Sequence, residues 1–462
     1  MSSLTNRFLT GPLGPLYLKT ALPIVFVMGM NGLLTVVDAL FLGHFAGPEA
    51  LAAVTLMFPP YMIVVSLATL VSSGMSSILA RHLGAWRLDE SRAIFAGAHG
   101  LALCASAALI ALFLAFGKAA TELAAGGSEN LAELGWIYLR ITVFASPLAF
   151  VLAINSDALR NEGLVAFMAG LSLLVSVSNM GFNYVLIGLW GMGVAGSAFG
   201  TALAQTLAIG IVIVFRVFGE TGLRPLALVQ NSLLSGWGRI LALGAPASLN
   251  FLGFALGSAA IIACLQRVDL EDYEATVTAY GIITRVITFT FLPLLGLSHA
   301  MQTITGNNFG AGLSARCGTS LQTALWVSAL YCGVVQVGVS LYAQTIGAAF
   351  TSDTRVVAEV GRILPVLAAM FVLSGPLMMV ARHFQSIGDA GRAALLGLSK
   401  PYLFAIPLTF VLAETVGEFG IWLAGPLAEG LLLVLTVIVL TRLAKARSLR
   451  WGLFPSLMEA QA

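Results

Sequence analysis

Charged residues are scarce in this sequence. Asp, Glu, Lys and Arg make up 10% of its 462 residues, against about 25% in soluble domains. Hydrophobic residues make up 58%, and the mean hydropathy is +0.95. This composition excludes a soluble globular domain and predicts an integral membrane protein. The four cysteines have no CxxC or ligand spacing, which argues against a disulfide framework or a cysteine metal site.

Motifs for enzymatic chemistry are also missing. The sequence has no GxxxxGK[ST] phosphate loop, no nucleophile elbow, no HExxH and no GxGxxG in a βα context. Its five histidines are scattered, and no pair has metal-ligand spacing. We therefore expect a protein that is not an enzyme, needs no cofactor and binds no nucleic acid. The N-terminus lacks the pattern of a cleaved signal peptide, so the first apolar segment would serve as the insertion signal.

Twelve long apolar segments are present, each long enough for a transmembrane helix of about 20 residues. They are continuously apolar and do not alternate with a period of two, which excludes a closed barrel. An all-α integral membrane fold follows. The segments cover about 14–43, 50–80, 93–117, 128–158, 163–186, 192–217, 238–266, 274–306, 316–348, 356–384, 391–413 and 420–443.

Basic and acidic residues fall into alternate connections between these segments. Arg81, Arg87 and Arg92 lie between the second and third segments, whereas Glu122 lies between the third and fourth and Glu129 lies at the start of the fourth. By the positive-inside rule, both chain ends are cytoplasmic, and an even number of spans agrees with this. We expect a multi-pass protein of the inner membrane.

The two halves of the chain resemble each other. Ala53-Val54 and Gly84-Ala85 each have a counterpart 226 residues later, and Ser146-Pro147-Leu148 has one 229 residues later. A duplication of six spans predicts two pseudo-symmetric bundles with the same orientation and a pseudo-two-fold axis along the membrane normal. The expected parts are an N-lobe at 1–217, a cytoplasmic linker at 218–237, a C-lobe at 238–444 and a cytoplasmic tail at 445–462.

Asp38 is the one carboxylate between Lys19 and Glu49, within the first apolar segment. A carboxylate at the centre of a membrane helix costs about 2.5–3.5 kcal/mol on insertion scales, so it usually has a partner or a function. Asn31, Thr35 and Asp38 are spaced i, i+4 and i+7, which places them on one helical face. This pattern predicts that the segment binds a cation at Asp38 and that the chain moves that cation.

Other segments carry polar residues that could complete such a site. Asn179 and Asn183 share a face of the fifth segment, Tyr138 and Asn155 lie on the fourth, and Thr201 lies on the sixth. Amide, hydroxyl and carboxylate oxygens suit sodium or a proton-linked hydrogen-bond network. The alternative, in which each of these residues only forms hydrogen bonds between helices, stays open.

Three further residues are candidates for secondary roles. Pro23 removes a backbone donor roughly four turns before Asp38 and could mark a bend. Glu429 could be a second protonatable site, a partner for Arg285 or a solvated helix end. Arg285 could line a cavity or brace the C-terminal half, and bracing is expected because an exposed arginine would repel cationic cargo.

The residues also resemble a known family, multidrug and toxic compound extrusion (MATE). The similarity lies in LPIVFVMGMNGLLTVVDALFLGHFAGPEALAAVTLMFPP, GVAGSAFGTALAQ, GNNFGAG and RHFQSIGDAGRA, and it covers nearly the whole chain. The resemblance implies two six-helix bundles arranged as a V. It also implies efflux of large, often cationic drugs or other toxic organic compounds by antiport against sodium or protons. We expect a monomer in the lipid bilayer.

The resemblance extends to individual positions. Asp38 matches the aspartate of the N-lobe cation site, and Pro23 matches the proline at which the first helix bends in some members. Asn183 departs from the family, since several members have an aspartate there, so the site would hold one carboxylate instead of two. Coupling would rest on the N-lobe, because the C-lobe acids of other members are missing. The remaining matches to the cation site are Tyr138, Asn155, Asn179 and Thr201.

The sequence therefore predicts a secondary multidrug antiporter. Protons are slightly favoured over sodium, because one carboxylate makes a weak sodium cage. Two alternatives remain: a flippase or exporter of a lipid-linked or other amphipathic metabolite, and a membrane enzyme or scaffold, for which no catalytic cluster is found.

Overall fold

A computed structural model describes residues 6–268, 272–447 and 451–453. All regular secondary structure in these ranges is helical, which confirms the predicted all-α fold. Three π-helical segments interrupt the α-helices, at Leu42–Ala46, Tyr184–Leu189 and Ser399–Ala405. The α-helices are α1 (Leu13–Phe41), α2 (Pro48–Leu56), α3 (Phe58–Gly84), α4 (Leu88–Ala124), α5 (Glu129–Phe144), α6 (Ser146–Asn161), α7 (Val165–Asn183), α8 (Gly193–Phe218), α9 (Leu226–Gln230), α10 (Trp237–Leu265), α11 (Tyr273–Gly310), α12 (Ser314–Leu341), α13 (Ala343–Phe350), α14 (Thr354–Leu367), α15 (Phe371–Ser386), α16 (Ala390–Leu398), α17 (Ile406–Val416) and α18 (Glu418–Arg447).

The helices account for the twelve predicted spans. Within the described ranges, 10 helical segments are long and apolar enough to cross a membrane. Two more spans are bent pairs, α5 with α6 at 48° and α14 with α15 at 46°. Pro147 is the second residue of α6, directly after the break at Ala145, and Pro365 lies two residues before the end of α14 at Leu367. A proline lacks the backbone N–H and clashes with the turn before it, which explains the break before Pro147.

Two of the predicted segments are each divided into two helices. The segment at 50–80 is divided at Met57, where α2 ends and α3 begins just before Pro59 and Pro60. Prolines fit the first turn of a helix but not its interior, so the chain starts a new helix there. The segment at 316–348 is likewise divided at Tyr342, between α12 and α13.

Within the described ranges, four helices begin at a side chain that caps the free backbone N–H groups of the first turn. These caps are Ser128, Asp272, Asp353 and Asp389. Asp353 lies outside the membrane-spanning segments, and hydrogen bonds from the side chain and backbone of Arg355 hold its pKa below the usual value. The three aspartate caps also complement the helix dipole, because a negative charge is favourable at a helix N-terminus.

The chain divides into two compact units. The first contains Leu22–Ser248 with the residues up to Thr10, and the second contains Gly11–Ala21 with the residues from Leu249 onward. Two of the three changes of unit fall inside a helix and close to a proline, Pro23 in α1 and Pro246 in α10. The lobe boundaries expected from the sequence remain a prediction, and most of the expected tail at 445–462 lies outside the described residues.

The segment at 218–237, expected to be a linker, packs closely on α4. A Cβ atom on Gly97 would lie 1.9 Å from Ser235 O, and one on Gly100 would lie 2.1 Å from Leu233 O. The indole Nε1 of Trp237 donates to Gly97 O at 2.9 Å. Glycines on α4 therefore let the backbone of this segment lie directly against the helix, and the segment belongs to the first unit.

A side chain at Gly97 should destabilise this packing. We expect Gly97→Ala to lower the free energy of unfolding by about 1–3 kcal/mol, because the added methyl group displaces the backbone at Ser235. Gly170→Ala on α7, where the Cβ would meet open space, is the matched control and should be neutral or stabilising. Thermal unfolding in detergent measures both. Equal midpoints for the two variants would contradict the close contact.

Candidate functional site

Asp38 of α1 meets the two asparagines that were predicted to share a face of α7. Asn183 Nδ2 donates to Asp38 Oδ1 at 2.6 Å. Asn183 is fully buried, Asn179 is 1% exposed and Asp38 is partly buried. A partly buried carboxylate that accepts a short amide hydrogen bond is stabilised without a basic partner.

Asn179 can serve the site in two amide orientations. In one, its oxygen accepts from Asn183 Nδ2 at 3.1 Å and its nitrogen donates to Thr201 Oγ1 at 2.9 Å. In the other, its nitrogen donates to Asp38 Oδ1 at 2.9 Å and its oxygen accepts from Thr201 Oγ1 at 2.9 Å. The same amide can thus either leave the carboxylate with one donor or provide it with a second.

The amide oxygen of Asn183 is the exception in this network. It is buried and has no hydrogen-bond partner among the residues that the structure describes. Gly200 of α8 leaves it room, because a Cβ there would lie 2.0 Å from this oxygen. A buried acceptor without a donor costs free energy, so this oxygen would gain from a bound cation or from an O–H group.

An apolar cluster closes the site at the end where α1 and α7 pass into π-helices. It consists of Leu42, Ala50, Ile187 and Val194, with Tyr138 packed against it. Leu42 lies one turn after Asp38, and Ile187 lies one turn after Asn183. The apolar side chains exclude water from this end and so strengthen electrostatic interactions at Asp38. π-Helical segments often occur at functional sites.

Asp38 interacts electrostatically with two phenol groups, those of Tyr138 of α5 and Tyr61 of α3. Tyr138 was predicted as a member of the site, and Tyr61 was missed. Tyr61 directly follows Pro59 and Pro60 in the first turn of α3. These prolines are the sequence signal that could have indicated a helix start at Tyr61. The side-chain hydrogen bond to the carboxylate comes from Asn183, and both tyrosines belong to its surroundings.

Asn31 and Thr35 lie on α1 before Asp38, as their spacing predicted, but they are exposed. Thr35 Oγ1 donates to Asn31 O within the same helix at 3.1 Å. Pro23 lies nearer the start of the same helix, next to the change of unit between Ala21 and Leu22. The structure therefore does not bring these three residues into the amide cluster.

Asn155 lies in a different polar cluster of the first unit. Its oxygen accepts from Arg216 Nε at 2.7 Å, and its nitrogen lies 3.3 Å from His99 Nε2. Arg216 is buried and pairs with Glu162 at 3.1 Å, and it also donates to Leu223 O at 2.9 Å. Asn155 thus helps to attach the segment after α8 to α6, and the structure does not bring it to Asp38.

Glu429 and Arg285 are not partners. The carboxylate of Glu429 is buried and accepts from Lys400 and Ser374 in the second unit. Arg285 is exposed and forms no ion pair with the acidic residues in the described part of the chain. The bracing role expected for Arg285 therefore has no contact to support it, because its side chain points away from the packed interior.

The donor set at Asp38 fits a hard cation or a proton. One carboxylate, two amides and a hydroxyl offer oxygen ligands of the kind that sodium takes. No group of three or more His, Cys, Asp or Glu side chains that could hold a metal ion occurs within residues 6–268, 272–447 and 451–453.

Comparison with known proteins identifies the family. A sequence model of the family described as MatE matches residues 23–185 and 246–411. The chain belongs to the MatE family. It is 23% identical over 431 residues to the FAD transporter of Shewanella oneidensis, covering 92% of this chain and 93% of that protein. It is 22% identical over 413 residues to the probable multidrug resistance protein YoeA of Bacillus subtilis, covering 86% and 87%.

The fold agrees with this family. The solved outward-facing structure of a multidrug resistance MATE family transporter matches with a TM-score of 0.84 at 20% identity, over 94% of this chain and 96% of that chain. MatE proteins are membrane transporters, so this chain is a multi-pass membrane transporter and not an enzyme.

The Arg216 cluster predicts a stability effect at Asn155. We expect Asn155→Ala to lower the free energy of unfolding by about 1–3 kcal/mol, because it leaves Arg216 Nε buried without its acceptor. Asn31→Ala, on the exposed face of α1, is the control and should stay within about 0.5 kcal/mol of the wild type. Thermal unfolding measures both. An Asn155→Ala midpoint equal to that of the control would contradict this role.

Proposed function

We propose that this MatE protein is a secondary active efflux antiporter. It exports organic, often cationic, compounds in exchange for protons or sodium, and the exchange is coupled at Asp38. The observation that carries this proposal is a membrane-embedded carboxylate held by amides, beside the buried and unpartnered Asn183 oxygen. An intramembrane acid without a basic partner is by default a candidate ion site.

The two asparagines can satisfy Asp38 in both of its states. When the carboxylate is ionised, Asn183 Nδ2 and, after rotation, Asn179 Nδ2 donate to it. When Asp38 is protonated, Asn179 in its first orientation has its oxygen at the position 2.9 Å from Asp38 Oδ1, where it can accept from the O–H group. Because neither state leaves the carboxyl group unpaired, the site can load and unload a proton at modest cost.

Protons are the favoured coupling ion. A sodium ion needs several oxygens facing it, whereas amide nitrogens point at Asp38 and the site has one carboxylate. The ion can shift the transport cycle only through different affinities in the inward- and outward-open states. The drug must therefore compete with the ion or couple to it through the same lobe.

Pro23 and Pro246 are proposed as hinges of this cycle. Each lies within three residues of the point where its helix passes from one compact unit to the other. Because a proline removes one hydrogen bond of the helix, bending there is easier than elsewhere. The lobes 1–217 and 238–444 would move about these points as alternating access requires.

The charge pattern would place both ends of the chain in the cytoplasm, with the protein in the inner membrane. The protein would act as a monomer, without a cofactor or nucleic acid. Its site residues would be Asp38, Asn179, Asn183 and Thr201, with Tyr138 nearby; Asn155 would act through the Arg216 cluster.

A second candidate is an exporter of an amphipathic metabolite. The similarity to a protein named as an FAD transporter favours it, because that name describes a negatively charged dinucleotide. In this case the same ion coupling would drive an anionic solute. Vesicles loaded with dye or with FAD distinguish the two candidates by which compound leaves.

Replacement of Asp38 tests the coupling. We expect Asp38→Asn to abolish gradient-driven efflux of a fluorescent cationic dye from vesicles, because an amide cannot gain or lose charge. Dye binding in detergent should be retained. Proton and sodium gradients are imposed separately, and the gradient that drives the wild type identifies the ion.

Asp89→Asn is the matched control for this experiment, since the Asp89 side chain is 96% exposed. It should transport like the wild type. Undiminished efflux in Asp38→Asn would place the coupling elsewhere, with Glu429 the next acid to test.

A second carboxylate should improve the site for sodium. In Asn183→Asp, two carboxylates would lie within hydrogen-bond distance, so we expect sodium to drive efflux at about tenfold lower concentration. Asn31→Asp adds a carboxylate on the exposed face of the same span as Asp38 and should leave the sodium dependence unchanged. If both variants respond to sodium as the wild type does, the amide cluster is not the ion site.

A further inference from the structure

The second unit contains an ionic cluster of its own, formed by Lys400, Glu429 and Ser374. Lys400 Nζ and Ser374 Oγ both donate to Glu429 Oε1. The second carboxylate oxygen, Oε2, is buried and has no hydrogen-bond partner in the described ranges. This cluster takes no part in the coupling proposed at Asp38.

The cluster lies deep in the membrane-spanning part of the unit. Lys400 is ten residues into the span Ala390–Val416 and Glu429 is eleven residues into the span Glu418–Ala446. At 1.5 Å per residue, both lie about 15–17 Å from a helix end, close to the middle of a hydrocarbon core about 30 Å thick. Lipid head groups are therefore out of reach, and a ligand of this cluster would be a solute.

The backbone at Lys400 is irregular. Lys400 is the second residue of the π-helical segment Ser399–Ala405, and Pro401 follows it. α10 approaches this segment closely, since a Cβ on Gly253 would lie 2.7 Å from Pro401 Cβ, and Tyr402 donates to Leu249 O at 2.8 Å. The packing thus holds the π-helix in place and directs Lys400 toward Glu429. The other two π-helical segments adjoin Asp38 and Asn183, at the proposed ion site.

The two charges are not equally accessible. The Lys400 side chain is 33% exposed, whereas the Glu429 side chain is 6% exposed. A ligand that approaches the cluster therefore meets the ammonium group first, and the carboxylate behind it acts as a counterion. Cys332 of α12, which is buried, also interacts electrostatically with both members of the pair.

We propose that Lys400 binds the anionic group, a carboxylate or phosphate, of a transported organic solute. Glu429 neutralises Lys400 while the site is empty and competes with the ligand for it. This proposal rests on the proposed export function and adds a substrate-recognising residue in the second unit. A partly buried ion pair is weak support for stability by itself, since apolar residues of similar volume often serve as well.

Two forms of one dye test the proposal: a rhodamine with a free carboxylate and the ethyl ester of the same dye. Fluorescence polarisation measures their binding to the full-length protein in detergent. We expect Lys400→Gln to weaken binding of the carboxylate dye about tenfold, the loss of one charge-assisted hydrogen bond, and to leave the ester unchanged. Lys118→Gln, at an exposed lysine of the first unit, is the matched control and should change neither dye.

Glu429→Gln separates recognition from a structural role. Because it removes the internal competitor of the ligand, it should strengthen binding of the carboxylate dye and leave the ester unchanged. A pair that only supports the fold predicts the opposite: weaker binding of both dyes in both variants, with lower unfolding midpoints. If Lys400→Gln does not fold, the direction of the Glu429→Gln effect still decides.

The outcomes separate this proposal from the proposed antiport. Binding is measured without a gradient, so a failure of coupling at Asp38 does not affect it. Wild-type protein that binds the ester but not the carboxylate dye overturns the Lys400 proposal alone. Wild-type protein that binds neither dye overturns it as well and also counts against multidrug export.

Discussion

A charge inside a membrane must find its partners within the protein, because hydrocarbon cannot form hydrogen bonds. The two units meet this requirement in different ways. In the first, Asp38 is held by the neutral amides of Asn179 and Asn183. In the second, Glu429 is held by the opposite charge of Lys400. Neutral donors leave the net charge of the site free to change, whereas an ion pair fixes it until another ion competes.

Irregular backbone concentrates at these two places. The π-helical segment Leu42–Ala46 begins one turn after Asp38, Tyr184–Leu189 directly follows Asn183, and Ser399–Ala405 contains Lys400. A π-helical turn changes the direction of the side chains on either side of it, so it can aim a polar residue that a regular helix would not. Pro23 and Pro246 weaken their helices close to the two changes of unit that lie inside a helix.

Much of the fold could be predicted because its signals are local. Hydropathy located the twelve spans, and the spacing of Asn179 and Asn183 placed both on the face that meets Asp38. The breaks at Met57 and Tyr342 were missed, since the apolar runs continue through them. The packing of 218–237 on α4 was also missed, because Gly97 shows no partner in the sequence.

The sequence by itself determined the membrane-spanning character and the helical fold, and it singled out Asp38 as the candidate ion site, since an apolar run with one acid has few other interpretations. Only the tertiary structure decided which polar groups meet. Asp38 and Asn183 are 145 positions apart, Asn155 and Arg216 are 61 apart, and Lys400 and Glu429 are 29 apart. Helical periodicity gives the face of a residue on its own helix. The neighbour of that face depends on how the helices pack, and therefore on the whole chain.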